Sequence, residues 1–378
     1  MLVTASANQH LDGLLEALCL QLSLTESQHE RATRAYETLG DWLSAPESAL
    51  ATHAPAVYPQ GSIPLGTAVK PRRSDEFDAD GVCVLSKGYA SLSPQAAYDL
   101  VLERIRSHGG YRSKVSPQER CIRLDYEDRL HLDIIPAVPA NGNGRTRILI
   151  PSRDRLSWQP SDPQGFVEWF RTREFVQSTS FSIRADADPM PEWTHPAKKP
   201  PLQRIVQLFK RRRDVFFEGD EASRPKSILL TTLVARAYAG QPLATDGTSE
   251  VLASLTQSLK PGPPPHVGNP SNPEENLARH WREDQRSYAE FLRFRDDFAM
   301  KMRVLALQTG MDRIAGALRE LFDPDGSGAV DRAVTMLTDS LQKARVAGDV
   351  GMSRDGRSLV SKAAAAAISI PKNTFYGG

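Results

Sequence analysis

Asp78 and Asp80 stand two residues apart in the run Phe77-Asp78-Ala79-Asp80-Gly81-Val82-Cys83-Val84-Leu85. On a strand, the period of two sends both carboxylates off the same face. Carboxylates side by side repel each other unless a cation stands between them. A hard ion that prefers oxygen, such as Mg2+, suits that place when phosphates share it. Asp133 lies in a second apolar run, Leu132-Asp133-Ile134-Ile135, where an acid is costly unless it is paired or bound to metal. Upstream, Gln60-Gly61-Ser62 reads as a turn whose free N–H groups and hydroxyl suit the β- and γ-phosphates of a nucleotide. Each feature alone has a plainer reading. The paired acids could be solvated residues at a strand end, Gly61-Ser62 an ordinary turn, and Asp133 an acid satisfied by His131, an arginine or backbone donors. Their ordered combination points instead to metal-dependent chemistry on a nucleoside triphosphate.

Such a site needs strands to present the acids and a turn to present the donors. Ala56-Val57-Tyr58 reads as a short strand that enters the glycine turn, after which Pro64 suits the first turn of a short helix. Residues 77–85 form the next predicted strand. Ser93 and Pro94 read as the cap and first residue of a helix that closes near Gly109. Residues 121–126 and 130–135 read as a strand pair across Glu127-Asp128-Arg129, with another strand at 148–150. The first 45 residues look helical, and Thr25 and Gln28 have capping-box spacing. Beyond about residue 160 the apolar spacing turns to three and four, predicting helices over 202–217, 227–238, 277–307 and 311–321. The proline-rich stretch 261–273 interrupts them as a loop. From Val346 onward, Gly, Ser and Ala predominate and a flexible tail is expected. The class is therefore α+β. A catalytic lobe with a mixed sheet and the N-terminal helix is expected over 1–160, a helical lobe over 161–345 and a tail over 346–378. The ligand cleft should lie between the lobes.

Charge and cysteines narrow the class. The 378 residues carry 47 Lys and Arg against 46 Asp and Glu, for a formal net charge of +1. That balance argues against a protein devoted to nonspecific polyanion binding. Cys19, Cys83 and Cys121 are too scattered for a disulfide framework or a zinc knuckle. No leader pattern and no run of about 18 apolar residues is apparent, so a cytoplasmic protein without membrane association is expected.

The order Gln60-Gly61-Ser62, Gly66-Thr67, Glu76-Phe77-Asp78-Ala79-Asp80 and Asp133 resembles the cGAS/DncV-like nucleotidyltransferases (CD-NTases) of the polymerase-β-like superfamily. The helical half is similar too, at Lys210-Arg211-Arg212-Arg213-Asp214, Lys226-Ser227 and Asn269-Pro270-Ser271-Asn272-Pro273. The resemblance spans roughly residues 20 to 320 and is nearest to bacterial members that serve the anti-phage systems called CBASS. It implies a polymerase-β-like lobe in which Asp78, Asp80 and Asp133 hold two Mg2+ ions, with Mn2+ as a substitute. It further implies that Gln60, Gly61 and Ser62 bind the donor nucleotide, joined by Lys210 and Ser227 from the helical lobe. The implied reaction makes a cyclic di- or trinucleotide from ATP, with GTP or other NTPs as further substrates. A linear or small-molecule nucleotidyltransferase and an inactive nucleotide-binding scaffold are the alternatives. The chain lacks the zinc-binding insertion of DNA-sensing relatives, so activation by nucleic acid is not expected. Taken alone, residues 210–213 read as an ordinary solvated helix face. The final Phe375-Tyr376-Gly377-Gly378 is similar to the ends of ubiquitin-like modifiers and of some bacterial CD-NTases. That likeness implies conjugation through Gly378 by an E1/E2-like partner, against the simpler reading of a plain terminus.

Overall fold

A computed structural model describes residues 5–72, 77–127, 129–140, 146–152, 154–174, 188–347, 350–353, 359–361 and 367–368. Gly378, Glu76 and Asp128 lie outside the described residues. The first lobe is built on strands β1 (Pro55–Gln60), β2 (Phe77–Leu85), β3 (Val115–Pro117), β4 (Ile122–Tyr126), β5 (Leu130–Pro139), β6 (Ile148–Pro151) and β7 (Trp158–Ser161). Their order is β1-β2-β5-β4-β3, with β6 on the far end of β5 and β7 on β6. The β2–β5 pair is parallel and the others are antiparallel, which makes the expected mixed sheet.

Alternation along β2 and β5 divides the sheet faces. Phe77, Ala79, Cys83 and Leu85 join Leu130, Leu132 and Ile134 in a core shared with α2 (Glu26–Ser44) and α3 (Pro94–Arg106). On the opposite face Val82, Val84 and Ala137 form a smaller core with Tyr58, Ile148 and Ile150. Asp78, Asp80 and Asp133 continue that second face beyond its apolar part. Helix α2 starts where the sequence predicts. The Gln28 N–H donates to Thr25 Oγ1 at 3.2 Å and the Thr25 N–H to Gln28 Oε1 at 3.0 Å, a closed capping box worth about 1 kcal/mol.

The helical lobe contains α4 (Pro163–Arg173), α5 (Pro201–Phe216), α6 (Ser227–Ala237), α7 (Ala244–Ser258), α8 (Arg279–Glu283), α9 (Gln285–Ala306), α10 (Met311–Phe322) and α11 (Ala329–Val346). The expected helix over 277–307 is broken at Asp284, whose side chain caps α9 through the Arg286 N–H at 3.0 Å. Helices α4, α7 and α11 have no counterpart in the predicted set. The N-terminal helix α1 (Ala5–Leu22) was expected with the first lobe, but it contacts α11, α7 and α5. Its stripe Leu11, Leu14, Leu15, Leu18 and Leu22 is fully buried in the helical core. Within the expected flexible tail, Val350–Ser353, Leu359–Ser361 and Ala367–Ile368 form a three-stranded antiparallel sheet. In the first of them, Val350 and Met352 alternate with Gly351 and Ser353. No helix among the described residues is long and apolar enough to cross a membrane.

Candidate active site

The site begins at the turn that leaves β1. Residues 61–66 were expected to open a short helix after Pro64, and they make a single closed turn instead. The Gly66 N–H donates to the Ile63 carbonyl at 2.9 Å and the Thr67 N–H to that of Ser62 at 3.0 Å. This is the bond pair of a Schellman closure, with Gly66 left-handed at φ +66°. The chain therefore turns back at once and runs along α5. A β-carbon at Gly66 would stand 2.2 Å from Gln203 Oε1, so a larger residue would displace the Gln203 amide as well as strain the turn.

Gly61 meets a similar constraint on the acid side. Its φ is +77°, and a β-carbon there would fall 2.2 Å from Asp80 Oδ2. The sheet register explains the closeness, because Gln60 is the direct partner of Asp80 across β1–β2. Asp80 in turn is the direct partner of Asp133 across β2–β5. Two acids thus lie side by side on neighbouring strands, with Asp78 one step along the same face. Burial first, then the Asp133 and Asp78 carboxylates, push Asp80 up to about 7, against the pull of Lys210 and Arg123. No hydrogen bond or ion pair engages its carboxylate among the described residues.

Asp133 is satisfied differently. Arg123, its direct partner across the β4–β5 hairpin, donates Nε to Oδ1 and Nη2 to Oδ2, both at 2.8 Å. The same Nη2 lies 3.7 Å from Asp78 Oδ1. These hydrogen bonds are the main reason that the guanidinium is held above its ordinary value. His131 is paired with Asp125 at 2.7 Å instead.

The basic run on α5 is not a solvated face. Lys210, Arg211, Arg212 and Arg213 are all buried, because α5 passes beneath the returning chain. Lys210 Nζ donates to Thr67 Oγ1 at 2.9 Å and to its carbonyl at 3.1 Å, and Arg211 donates to the Lys70 carbonyl at 2.8 Å. Arg212 pairs with Asp297, and Arg213 Nη1 donates to Ser227 Oγ at 2.8 Å. Burial first, then Arg213, bring Lys210 down to about 7.

All eight internal residues singled out from the sequence meet at one place. Gln60, Gly61, Ser62, Asp78, Asp80, Asp133, Lys210 and Ser227 line a cavity of about 380 Å³ between the lobes. Ser62, Asp78, Lys210 and Ser227 also border a second cavity of about 940 Å³, which adds Arg72, Arg213, Arg224 and Lys226. The first cavity holds the three acids and the glycine turn, and the second is lined by cations and acids together, with Arg72 paired to Glu218, Arg213 to Asp214 and Arg224 to Glu221. Asp80, with no hydrogen-bonding partner in a wall of carboxylates, is the donor set that a divalent cation would neutralise, so the residues fit one. Among the described residues, however, no three acids or histidines converge as a ready cation cage.

Sequence reasoning passed over Arg123, Asp162 and Thr231, which line the smaller cavity, and gave no site role to Asn269, which also lines it, or to Thr67, which holds Lys210, although both stand in the quoted motifs. Of the three passed over, only Arg123 had an accessible signal. Once Tyr126 and Leu130 flank the turn, counting back along both strands pairs residue 123 with residue 133.

Comparison with known proteins supplies independent findings. Residues 9–174 match the family model of the Second Messenger Oligonucleotide or Dinucleotide Synthetase domain. A c-di-GMP synthase of Roseivirga ehrenbergii is 30% identical over 381 residues, covering 100% of both chains. The cyclic dinucleotide synthase CdnG of Bradyrhizobium diazoefficiens is 25% identical over 383 residues, with 94% of this chain and 90% of that protein covered. The solved structure of that CD-NTase CdnG in complex with GTP superposes with a TM-score of 0.71 at 23% identity. It covers 87% of this chain and 98% of its own, and it matches the two-lobed fold described above.

Proposed function

The chain belongs to the CD-NTases and is a nucleotidyltransferase, and we propose that it condenses two molecules of GTP into a cyclic dinucleotide of the c-di-GMP class. The observation that carries this reading is the register pairing of Asp80 with Asp133 beside the Gly61-Ser62 turn. The choice of GTP is supported by the full-length relative named as a c-di-GMP synthase. In this reading Asp78, Asp80 and Asp133 would hold two Mg2+ ions, with Mn2+ able to substitute. When bound, these supply charge neutralisation of the triphosphate and of the developing alkoxide.

The protein's own groups do the rest. Ser62 and the backbone N–H groups of its turn hold the donor triphosphate for in-line attack at the α-phosphorus. Burial disfavours the Lys210 charge, which phosphate oxygens would stabilise, and Ser227, held by Arg213, donates to the same group. In this reading Asp133 also takes the proton of the attacking ribose hydroxyl. Each cycle forms two phosphodiester bonds and releases two pyrophosphates. The linear intermediate turns over between the two steps so that its own triphosphate becomes the donor. We place this activity in the cytoplasm and in anti-phage signalling of the CBASS type, with Gly378 as the point at which an E1/E2-like partner would join the chain to a target.

Two measurements test the assignment. Incubation with each labelled NTP and Mg2+, then phosphatase treatment and mass spectrometry, should yield a resistant species of two GMP units from GTP alone. A phosphatase-sensitive oligomer, or a requirement for ATP, would overturn the cyclic di-GMP reading. Lys210→Met keeps the stem and removes the ammonium, and it should weaken binding of a non-hydrolysable GTP analogue by roughly 10- to 100-fold, the scale of a lost charge-assisted hydrogen bond. Calorimetric titration checks it, and unchanged affinity would remove Lys210 from the phosphate site.

A further inference from the structure

Arg123 contributes the feature that the assigned chemistry does not use. Its fork covers both oxygens of Asp133, and the same guanidinium reaches Asp78. It is thus a fixed cation standing against two of the three acids that the proposed function assigns to metal. The Asp133 side chain is 13% exposed, so its charge needs a partner in the metal-free protein, and Arg123 is the partner that the strand register provides. A carboxylate engaged bidentately offers a divalent ion only its outer lone pairs, and the ion would stand beside a like charge. The Arg123 side chain is itself 32% exposed and lines the smaller cavity, the space where a nucleotide would lie.

We propose that Arg123 is a stand-in counter-cation that blocks Asp133 from metal until nucleotide phosphates draw the guanidinium away, making loading of the second ion depend on substrate. This rests on Asp78, Asp80 and Asp133 being the metal ligands. The consequence is a coupling between two ligands, and such coupling is reciprocal. Phosphate removes the competitor of the metal, and the metal removes the competitor of the phosphate. Without nucleotide the enzyme stays incompletely loaded, which keeps it from activating water against stray phosphoesters.

Mn2+ titration followed by electron paramagnetic resonance, first without nucleotide and then with a non-hydrolysable GTP analogue, tests this apart from turnover. Wild type should bind a second Mn2+ weakly, and a non-hydrolysable GTP analogue should tighten it at least tenfold. Arg123→Met should bind the second Mn2+ at least tenfold tighter than wild type without nucleotide, and the analogue should add little. Arg123→Lys keeps the charge but loses the fork, and it should fall between the two. Second-site affinity in Arg123→Met no tighter than in wild type would overturn the proposal. If that variant does not fold, equal affinity in Arg123→Lys and wild type overturns it instead. Wild type that binds no Mn2+ with or without the analogue would overturn the metal-ligand assignment itself, a result distinct from a second site that binds Mn2+ equally in wild type and variants.

Discussion

Asp80→Asn is expected to abolish synthesis, by roughly a thousandfold or more, while making the metal-free protein more stable. The two effects have one cause. Asp80 is an acid with no hydrogen-bonding partner beside the Asp133 and Asp78 carboxylates, and its charge is unfavourable until a cation arrives. Its folded value, about 7, lies above the ordinary carboxyl value of 3.8. The folded state therefore binds more protons than the unfolded state between those limits, so metal-free stability falls as pH rises from about 4 to about 7 and levels off above. Asparagine is nearly isosteric and uncharged, and it removes that slope. At pH 8 the gain should be on the order of 2 kcal/mol after allowance for solvent at the cavity mouth. Thermal melts of both proteins in chelator across pH 5–8 check this. Parallel pH profiles would mean that Asp80 is not held in its charged form against its surroundings. Added Mg2+ or Mn2+ should raise the melting temperature of wild type more than that of the variant.

The second large effect concerns a residue with no side chain. Gly61→Ala should lower synthesis at least roughly a hundredfold, because the new methyl would occupy the place of Asp80 Oδ2, 2.2 Å away. Either the turn or Asp80 must move, and both are parts of the proposed site. The left-handed φ of +77° adds about 1–2 kcal/mol of backbone strain for any L side chain. An alanine at Gly219, also left-handed at φ +82° but facing open space, separates strain from contact. Gly219→Ala should lose comparable stability and retain synthesis. Equal loss of activity in both variants would show that strain, not the approach to Asp80, dominates.

How much of this was legible in the sequence depends on the range of the interaction. Asp78 and Asp80 share a face because a strand alternates, and that follows from two neighbouring residues. Asp133 could be placed on a later strand by its apolar flanks, although not directly beside Asp80, since parallel register between distant strands has no local signature. Arg123 was recoverable from the hairpin turn alone. Residues 210–213 defeated local reasoning altogether. Four successive basic residues suit a solvated face, and they are buried only because the chain at Thr67 to Lys70 returns along α5 and offers carbonyls and a hydroxyl. Helix α1 shows the same limit in the core. Its leucine stripe was visible, but the surface it covers is made by helices more than 200 residues away in the chain, among them α7 and α11.

Metal-dependent release of pyrophosphate from GTP, by wild type and by Asp133→Asn, tests the central claim most directly. The account predicts one pyrophosphate for every GTP consumed by wild type with Mg2+, none in chelator, and a loss of roughly a thousandfold in the variant. Release by Asp133→Asn at the wild-type rate would contradict the assignment of the paired strand acids as the catalytic centre.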